Sequence, residues 1–416
     1  MKKWLPVVAV CLVCSMLCSL SVLADEPTKE SRTSIATEYE SETLFQNFEI
    51  ESVPASTVPV SAETLQLSAS STVLMEVSTG QVLYESNADE QRAPASITKI
   101  MTMLLVMEAI EAGRFTMDTQ VPVSEHASSM GGSQIWLEVE ETMSVYDMLK
   151  ATAVASANDA ATALGELVAG SEEAFVNLMN ERAAQLGMTG THFVNCCGLD
   201  TDNHYSTARD IGRMSCALLQ HDLIKEFSQI WIDYLRGGTT QLVNTNKLVR
   251  FYQGTTGLKT GTTDQAGFCV SASAERDGME LVAVVLNGET SDKRFSDAKK
   301  LLDYGFANWG IVSIDMSQIP LEEVKVNHGT IGSVPVDYEV MDTILVPKGK
   351  QNAVNHTINL PTDVDAPVAK GQLLGKITFT LDDKVVGECQ LSAASDVEKM
   401  SFGKALSRLL GSLIQM

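Results

Sequence analysis

One long apolar run governs what this chain can become. Leu5 to Leu23 is almost wholly apolar or small, follows Lys2 and Lys3, and closes on the small-residue box Val22-Leu23-Ala24. A positive start, an apolar stretch and a small-residue cleavage site read as a secretory signal peptide over residues 1–24, with Ala24 the last residue removed. The competing reading is an uncleaved anchor, because a run of this length just spans a bilayer. Cys11, Cys14 and Cys18 do not follow the small-residue box, so lipid attachment is not expected. No second run of this kind occurs, which excludes a multi-span membrane protein.

The chain beyond this leader must then bury its own core. The 416 residues give a prior of two or three domains, at about 150 residues each. Hydrophobic residues at 44% and charged residues at 20% exclude wholesale disorder. Asp and Glu number 53 against 30 Lys and Arg, a formal net charge of −23. A surface of that sign is a poor partner for nucleic acid, whose phosphates need cations. Beyond the leader the cysteines are Cys196, Cys197, Cys216, Cys269 and Cys389. An odd number argues against a full disulfide framework, and adjacent cysteines beside His192 and His204 are not a zinc spacing. They are expected as small buried hydrophobes with at most one bridge.

Residues 25–66 are rich in Ser, Thr, Glu and Pro without apolar period, and read as a disordered spacer. From Ser71 two strands surround a turn at Ser78-Thr-Gly-Gln81. Ile100 to Glu111 reads as an apolar helix, and Ser144 to Leu167 and Glu172 to Leu186 carry helical periods. Leu242 to Leu248, Gly267 to Ala274 and Leu281 to Leu286 read as strands. Strands at both ends with helices between them indicate an α+β domain over 67–309 rather than a repeating βαβ order. Residues 310–395 carry short alternating runs, Val334 to Val340, Thr343 to Val346, Gln372 to Leu381 and Lys384 to Cys389, and read as a small all-β domain. In the final segment, 396–416, Met400, Phe402, Leu406, Leu409, Leu410 and Leu413 recur at helical spacing with Lys404 and Arg408 between them. Such a helix lies in a membrane surface or docks on its own domain, and the sequence leaves both open.

Three short polar motifs carry the chemistry. Ser96-Ile-Thr-Lys99 opens the apolar helix, and residues at i and i+3 share a helix face. A serine hydroxyl becomes a nucleophile when a neighbouring base takes its proton, and a lysine serves once burial or nearby positive charge depresses its pKa. The helix start adds N–H groups and a positive dipole end. Ser156-Ala-Asn158 supplies a second hydroxyl for proton relay and an amide able to hold a lysine or a substrate carbonyl. Lys259-Thr-Gly261 opens strand-forming sequence, where a cation and hydroxyls face an anionic substrate end and Gly261 allows close backbone approach. Thr262 can lend its N–H to an oxyanion hole with that of Ser96.

This set resembles the serine D-alanyl-D-alanine carboxypeptidases among the low-molecular-mass penicillin-binding proteins; class A β-lactamases share the motif set. The likeness extends through Gly132-Ser-Gln-Ile-Trp-Leu137, Tyr146-Asp-Met-Leu149, Ser156-Ala-Asn-Asp-Ala160 and Gly198-Leu-Asp200. It continues in His204-Tyr-Ser-Thr-Ala-Arg-Asp210, Asn244-Thr-Asn246, Thr256 to Gly261 and Ala366-Pro-Val-Ala-Lys-Gly371, and so covers about residues 68–395. The resemblance implies a penicillin-binding, β-lactamase-like transpeptidase domain, with helices packed on an antiparallel sheet, followed by the small β domain. It implies that Ser96 forms the acyl-enzyme, Lys99 is its base and Ser156 relays a proton to the leaving amine. It implies further that Lys259, Thr260 and Thr262 hold the terminal carboxylate, with Gly261 in the same substrate-binding motif, while Asn158 orients the peptide. Implied partners are peptidoglycan stem peptides ending in D-Ala-D-Ala and, as covalent inhibitors, β-lactams. No metal or organic cofactor is implied, and the location implied is the outer face of the cytoplasmic membrane or the cell wall. Ala157 stands where many relatives have glycine, and Thr245 where some place an arginine for the substrate carboxylate.

Other residues promise less. His204 is expected to pack or hydrogen-bond rather than touch substrate, and Asp159 to support a helix. Arg209 has no role that its residue type reveals. Met75, Met101, Met103 and Met107 are expected in the core. Two other functions compete. A class A β-lactamase deacylates with a glutamate some three dozen residues after its Ser-x-Asn motif, and here Gly190 to Val194 holds no carboxylate. A non-catalytic wall-binding or sensing module would tolerate loss of Ser96 or Lys99, and both are present.

Overall fold

The computed structural model describes residues 65–407 apart from Val340 and Asp342. The signal segment 1–24, nearly all of the spacer 25–66 and the last part of the C-terminal helix lie outside them. Among the described residues an antiparallel five-stranded sheet runs in the order Val82–Ser86, Ser71–Glu76, Met279–Gly288, Gly267–Arg276, Thr255–Thr263. Alternate side chains of a strand face opposite ways, and here both faces are covered. Val73, Met75, Val282, Val284 and Leu286 join one core with the helices Lys99–Glu111, Asn158–Ala169, Glu172–Gln185 and Ala208–Leu219. Leu74, Leu281, Ala283 and Val285 meet Phe295, Ala298, Leu301, Leu302 and Phe306 of the helix Ser291–Asn308. Strands buried on two faces read as continuous apolar runs, as Leu281 to Leu286 does.

The helix Lys99–Glu111 is buried from Lys99 through Ala109, which explains why its sequence is apolar all round. Its neighbours are started by side-chain caps. The hydroxyl of Ser171 accepts from the N–H of Ala174, that of Thr207 from Asp210, and that of Thr290 from Lys293.

Two readings of the peptidase part change. The helical period of Ser144 to Leu167 conceals a break: an α turn Val145–Lys150 widens into a π turn Ala151–Ala155, and Ser156 takes left-handed φ 64° before a new helix starts at Asn158. Leu242 to Leu248 is not one strand. The strand Thr240–Val243 ends where the Asn244 side chain accepts from the N–H of Asn246, and a short helix Leu248–Phe251 succeeds it.

The C-terminal part is all β. Trp309–Ser313 pairs with Thr343–Pro347, and a four-stranded sheet runs Val336–Tyr338, Lys384–Ala393, Leu373–Leu381, Asn355–Asn359. Residues 396–400, read as part of the terminal helix, belong here instead. Val397 is buried and bridges Val368, Lys399 bridges Gly329, and Met400 N–H donates to the His328 carbonyl. Helical residues begin at Phe402, which is 84% exposed, and Leu406 is 47% exposed. No helix among the described residues is long and apolar enough to cross a membrane.

Candidate active site

Ser96 sits in the tight turn Ala95–Thr98, with Lys99 opening the helix behind it. That turn is braced from beneath. Thr98 Oγ1 donates to the Ala95 carbonyl and lies 2.8 Å from His204 Nε2, while His204 Nδ1 accepts from the N–H of Val194. The accepting Nδ1 assigns the proton to Nε2, so a neutral imidazole donates to Thr98. Burial holds the His204 pKa down at about 4, with the His192 charge adding to the effect. His204 is a support, as expected.

Lys99 is fully buried, and its Nζ has three neighbours: Asn158 Oδ1 at 2.6 Å, the Cys197 carbonyl at 2.7 Å and Ser96 Oγ at 3.0 Å. The first two only accept; the third is a hydroxyl that also donates. A neutral amine fits this set completely, giving two N–H bonds and receiving the serine O–H on its lone pair. Burial lowers the Lys99 pKa, against the pull of Cys197, Cys196 and Asp159.

Like-charge repulsion shows instead at the second lysine of the site. Lys259, also buried, is held well below the usual lysine range by desolvation first and then by the positive charges of Lys99 and Arg294. Its hydrogen bond goes to the Thr260 carbonyl at 2.9 Å, and Thr260 Oγ1 donates to Thr245 Oγ1 at 2.6 Å. This end of the site gathers cations and hydroxyls that suit an anion.

Glycines let the pieces close. A Cβ on Gly261 would stand 2.9 Å from the Pro94 carbonyl and 3.1 Å from Ser96 N, so the strand Thr255–Thr263 runs tight against the nucleophile's backbone. A Cβ on Gly198, whose φ is 85°, would lie 1.8 Å from the Ala95 carbonyl oxygen. Asn158 is committed inside the protein at both ends of its amide, to Lys99 and, through Nδ2, to the Gly131 carbonyl at 2.6 Å. Ser156 is buried where the helix breaks, two residues before Asn158, and among the described residues its hydroxyl makes no hydrogen bond. Asp159 accepts from the N–H groups of Ile135 and Leu137, which is bracing rather than acid–base work. Arg209 is paired with Asp89 and Glu85. The five cysteines are free and buried.

Arg294 was not foreseen. It is 6% exposed, and its Nη1 donates to the Gly261 carbonyl at 3.0 Å, Thr262 Oγ1 at 2.9 Å and the Cys269 carbonyl at 3.1 Å. Burial lowers its pKa to about 10. It steadies the third motif from behind. An arginine on an otherwise core-facing helix stripe, between Ser291 and Phe295, was the available signal.

A D-alanyl-D-alanine carboxypeptidase family profile matches residues 57–290, and a penicillin-binding protein 5 C-terminal domain profile matches residues 317–399. The D-alanyl-D-alanine carboxypeptidase DacF of Bacillus subtilis is 42% identical over 347 residues, covering 82% of this chain and 89% of that protein. The crystal structure of penicillin-binding protein 5 from Haemophilus influenzae superposes with a TM-score of 0.72 at 33% identity, over 80% of this chain and 98% of that one. Penicillin-binding protein D2 from Listeria monocytogenes, in its ampicillin-bound form, gives 0.53 at 36% identity, over 58% and 99%.

Proposed function

The chain belongs to the serine-type D-alanyl-D-alanine carboxypeptidase family, and from that premise we propose that Ser96 removes the terminal D-alanine of peptidoglycan stem peptides through an acyl-enzyme. The observation that carries the mechanism is the Lys99 amine with two acceptor-only neighbours and one hydroxyl, Ser96, on its third side. Lys99 takes the hydroxyl proton as Oγ adds to the carbonyl carbon of the penultimate residue. The N–H groups of Ser96 and Thr262 receive the oxyanion, each such donor contributing about 10² to 10³ in rate. The peptide bond then breaks, and the nitrogen of the departing D-alanine takes the proton from Lys99 through the Ser156 hydroxyl. Water hydrolyses the Ser96 ester, and the hydroxyl is restored. Lys259, Thr260 and Thr262 hold the terminal carboxylate, Gly261 allows the approach, and Asn158 serves by fixing Lys99.

A β-lactam would enter the same first step, the ring nitrogen staying attached, so that the ester persists. The test is mass spectrometry of the protein after exposure to penicillin. We expect one adduct, on Ser96, absent from Ser96→Ala; an undiminished adduct in that variant would overturn the mechanism.

We place the protein outside the cytoplasm in cell-wall biogenesis, on the strength of the leader 1–24 and a wall substrate. We divide the chain into leader, spacer 25–66, peptidase domain 67–309, a β domain that runs from 310 through Met400, and a terminal helix from Phe402. The exposure of Phe402 and Leu406 supports a helix that meets a membrane surface rather than its own domain. Mature protein ending at Ser401 should keep its activity and lose sedimentation with anionic liposomes; equal partitioning of the two forms would refute the membrane role. Ending earlier would pull Val397 from the β core.

A further inference from the structure

An aromatic side chain close to the site has no part in the acyl-transfer scheme, and its backbone is strained. Trp136 is 75% exposed and has φ of 57°, a left-handed conformation that bulky residues rarely adopt. The loop around it is nevertheless held on both sides. The buried Asp159 carboxylate accepts from the N–H of Ile135 and of Leu137, each at 3.1 Å, and the side chains of both residues are buried. Arg236 donates to the carbonyls of Ile135 at 2.8 Å and Trp136 at 3.3 Å, while its Nε pairs with Glu141 at 2.8 Å. With both flanking residues pulled inward, the indole is the part left facing water.

The same loop is tied to the catalytic assembly. Asn158, which fixes Lys99, donates from its N–H to the Ser133 carbonyl at 2.7 Å and from Nδ2 to the Gly131 carbonyl at 2.6 Å. Trp136 stands four residues beyond Gly132, which packs on Asn158, a reach of at most about 14 Å at about 3.4 Å per residue. An extended peptide crosses such a span in about four residues, so the upstream residues of a bound peptide come within reach of the indole. A fixed indole offers a large apolar face at little cost in conformational freedom.

We propose that Trp136 is a binding platform for the stem-peptide residues upstream of the terminal D-alanine pair, taking their aliphatic parts against its ring. This rests on the carboxypeptidase reading. Interactions remote from the reacting bond are used to lower the barrier there, so a long substrate should outperform a minimal one on the wild-type protein.

The experiment compares kcat/KM for a full-length stem peptide and for an N-acylated D-alanyl-D-alanine dipeptide, in wild type, Trp136→Ala and Trp136→Phe. We expect Trp136→Ala to lose about tenfold on the long peptide, the effect of removing one aromatic contact, and less than twofold on the dipeptide. Trp136→Phe should restore much of the difference. Melting curves of the variants check that the fold is intact, and Trp136→Gly, which relieves the left-handed strain, serves as a second truncation. Equal change on both substrates, or none on either, would overturn the platform while leaving the carboxypeptidase reading in place. Wild type that hydrolyses neither peptide would instead remove that reading, and the platform with it.

Discussion

The site holds two buried lysines, and they are equipped in opposite ways. Lys99 is saturated: Asn158, the Cys197 carbonyl and Ser96 fill its hydrogen-bonding directions before any ligand arrives. Lys259 has the carbonyl of its own neighbour, Thr260, and among the described residues no negative charge offsets its burial. Burying a polar group is tolerable when its partners are built in, and costly when they are not. Lys99 is therefore a finished reagent, and Lys259 is an incomplete pair that an anion completes.

The hardest blow to that contrast comes at the finished end. Lys99→Arg keeps a cation but no lone pair at neutral pH, so acylation by penicillin should fall by about 10² to 10⁴. Near wild-type acylation would mean that another group takes the Ser96 proton.

A smaller effect sharpens the other half. Lys259→Met should lower kcat/KM by about 10 to 10² for peptides with a free terminal carboxylate, the scale of a lost charged hydrogen bond, and lower it much less for the terminal amide of the same peptide. An equal loss on acid and amide would show that Lys259 does not read the carboxylate.

The gentlest test is stability against pH. The folded state lowers the pKa of Lys259 from the ordinary 10.5, so the unfolded chain binds that proton more readily. Stability then rises as pH climbs from the depressed value toward 10.5, and the rise should flatten in Lys259→Met. Denaturant melts across the alkaline range measure it; an unchanged slope would mean that Lys259 carries no burial penalty.

The site was legible where chemistry is concentrated in a few adjacent residues, as in Ser96 to Lys99 or Lys259 to Gly261. It was hidden where the signal is a backbone event. Nothing in the apolar period of Val145 to Ala155 marks the π turn or the left-handed Ser156, because no Gly or Pro interrupts it. The helices Ala208–Leu219 and Ser291–Asn308 escaped notice although Thr207 with Asp210, and Thr290 ahead of the stripe Phe295, Ala298, Leu301, Leu302, were readable starts. Arg294 was missed for another reason: its partners are main-chain carbonyls and a hydroxyl on strands earlier in the chain.

The grip on Lys99 from the Cys197 carbonyl has an evolutionary side. Every residue type offers the same carbonyl, so positions 196 and 197 are free to drift without loosening the base, within the space their buried side chains fill. The burden of inheritance passes to Gly198. With no room for a single extra carbon against Ala95, it is the position in that loop where almost any substitution should be purged, although it contributes no functional group at all.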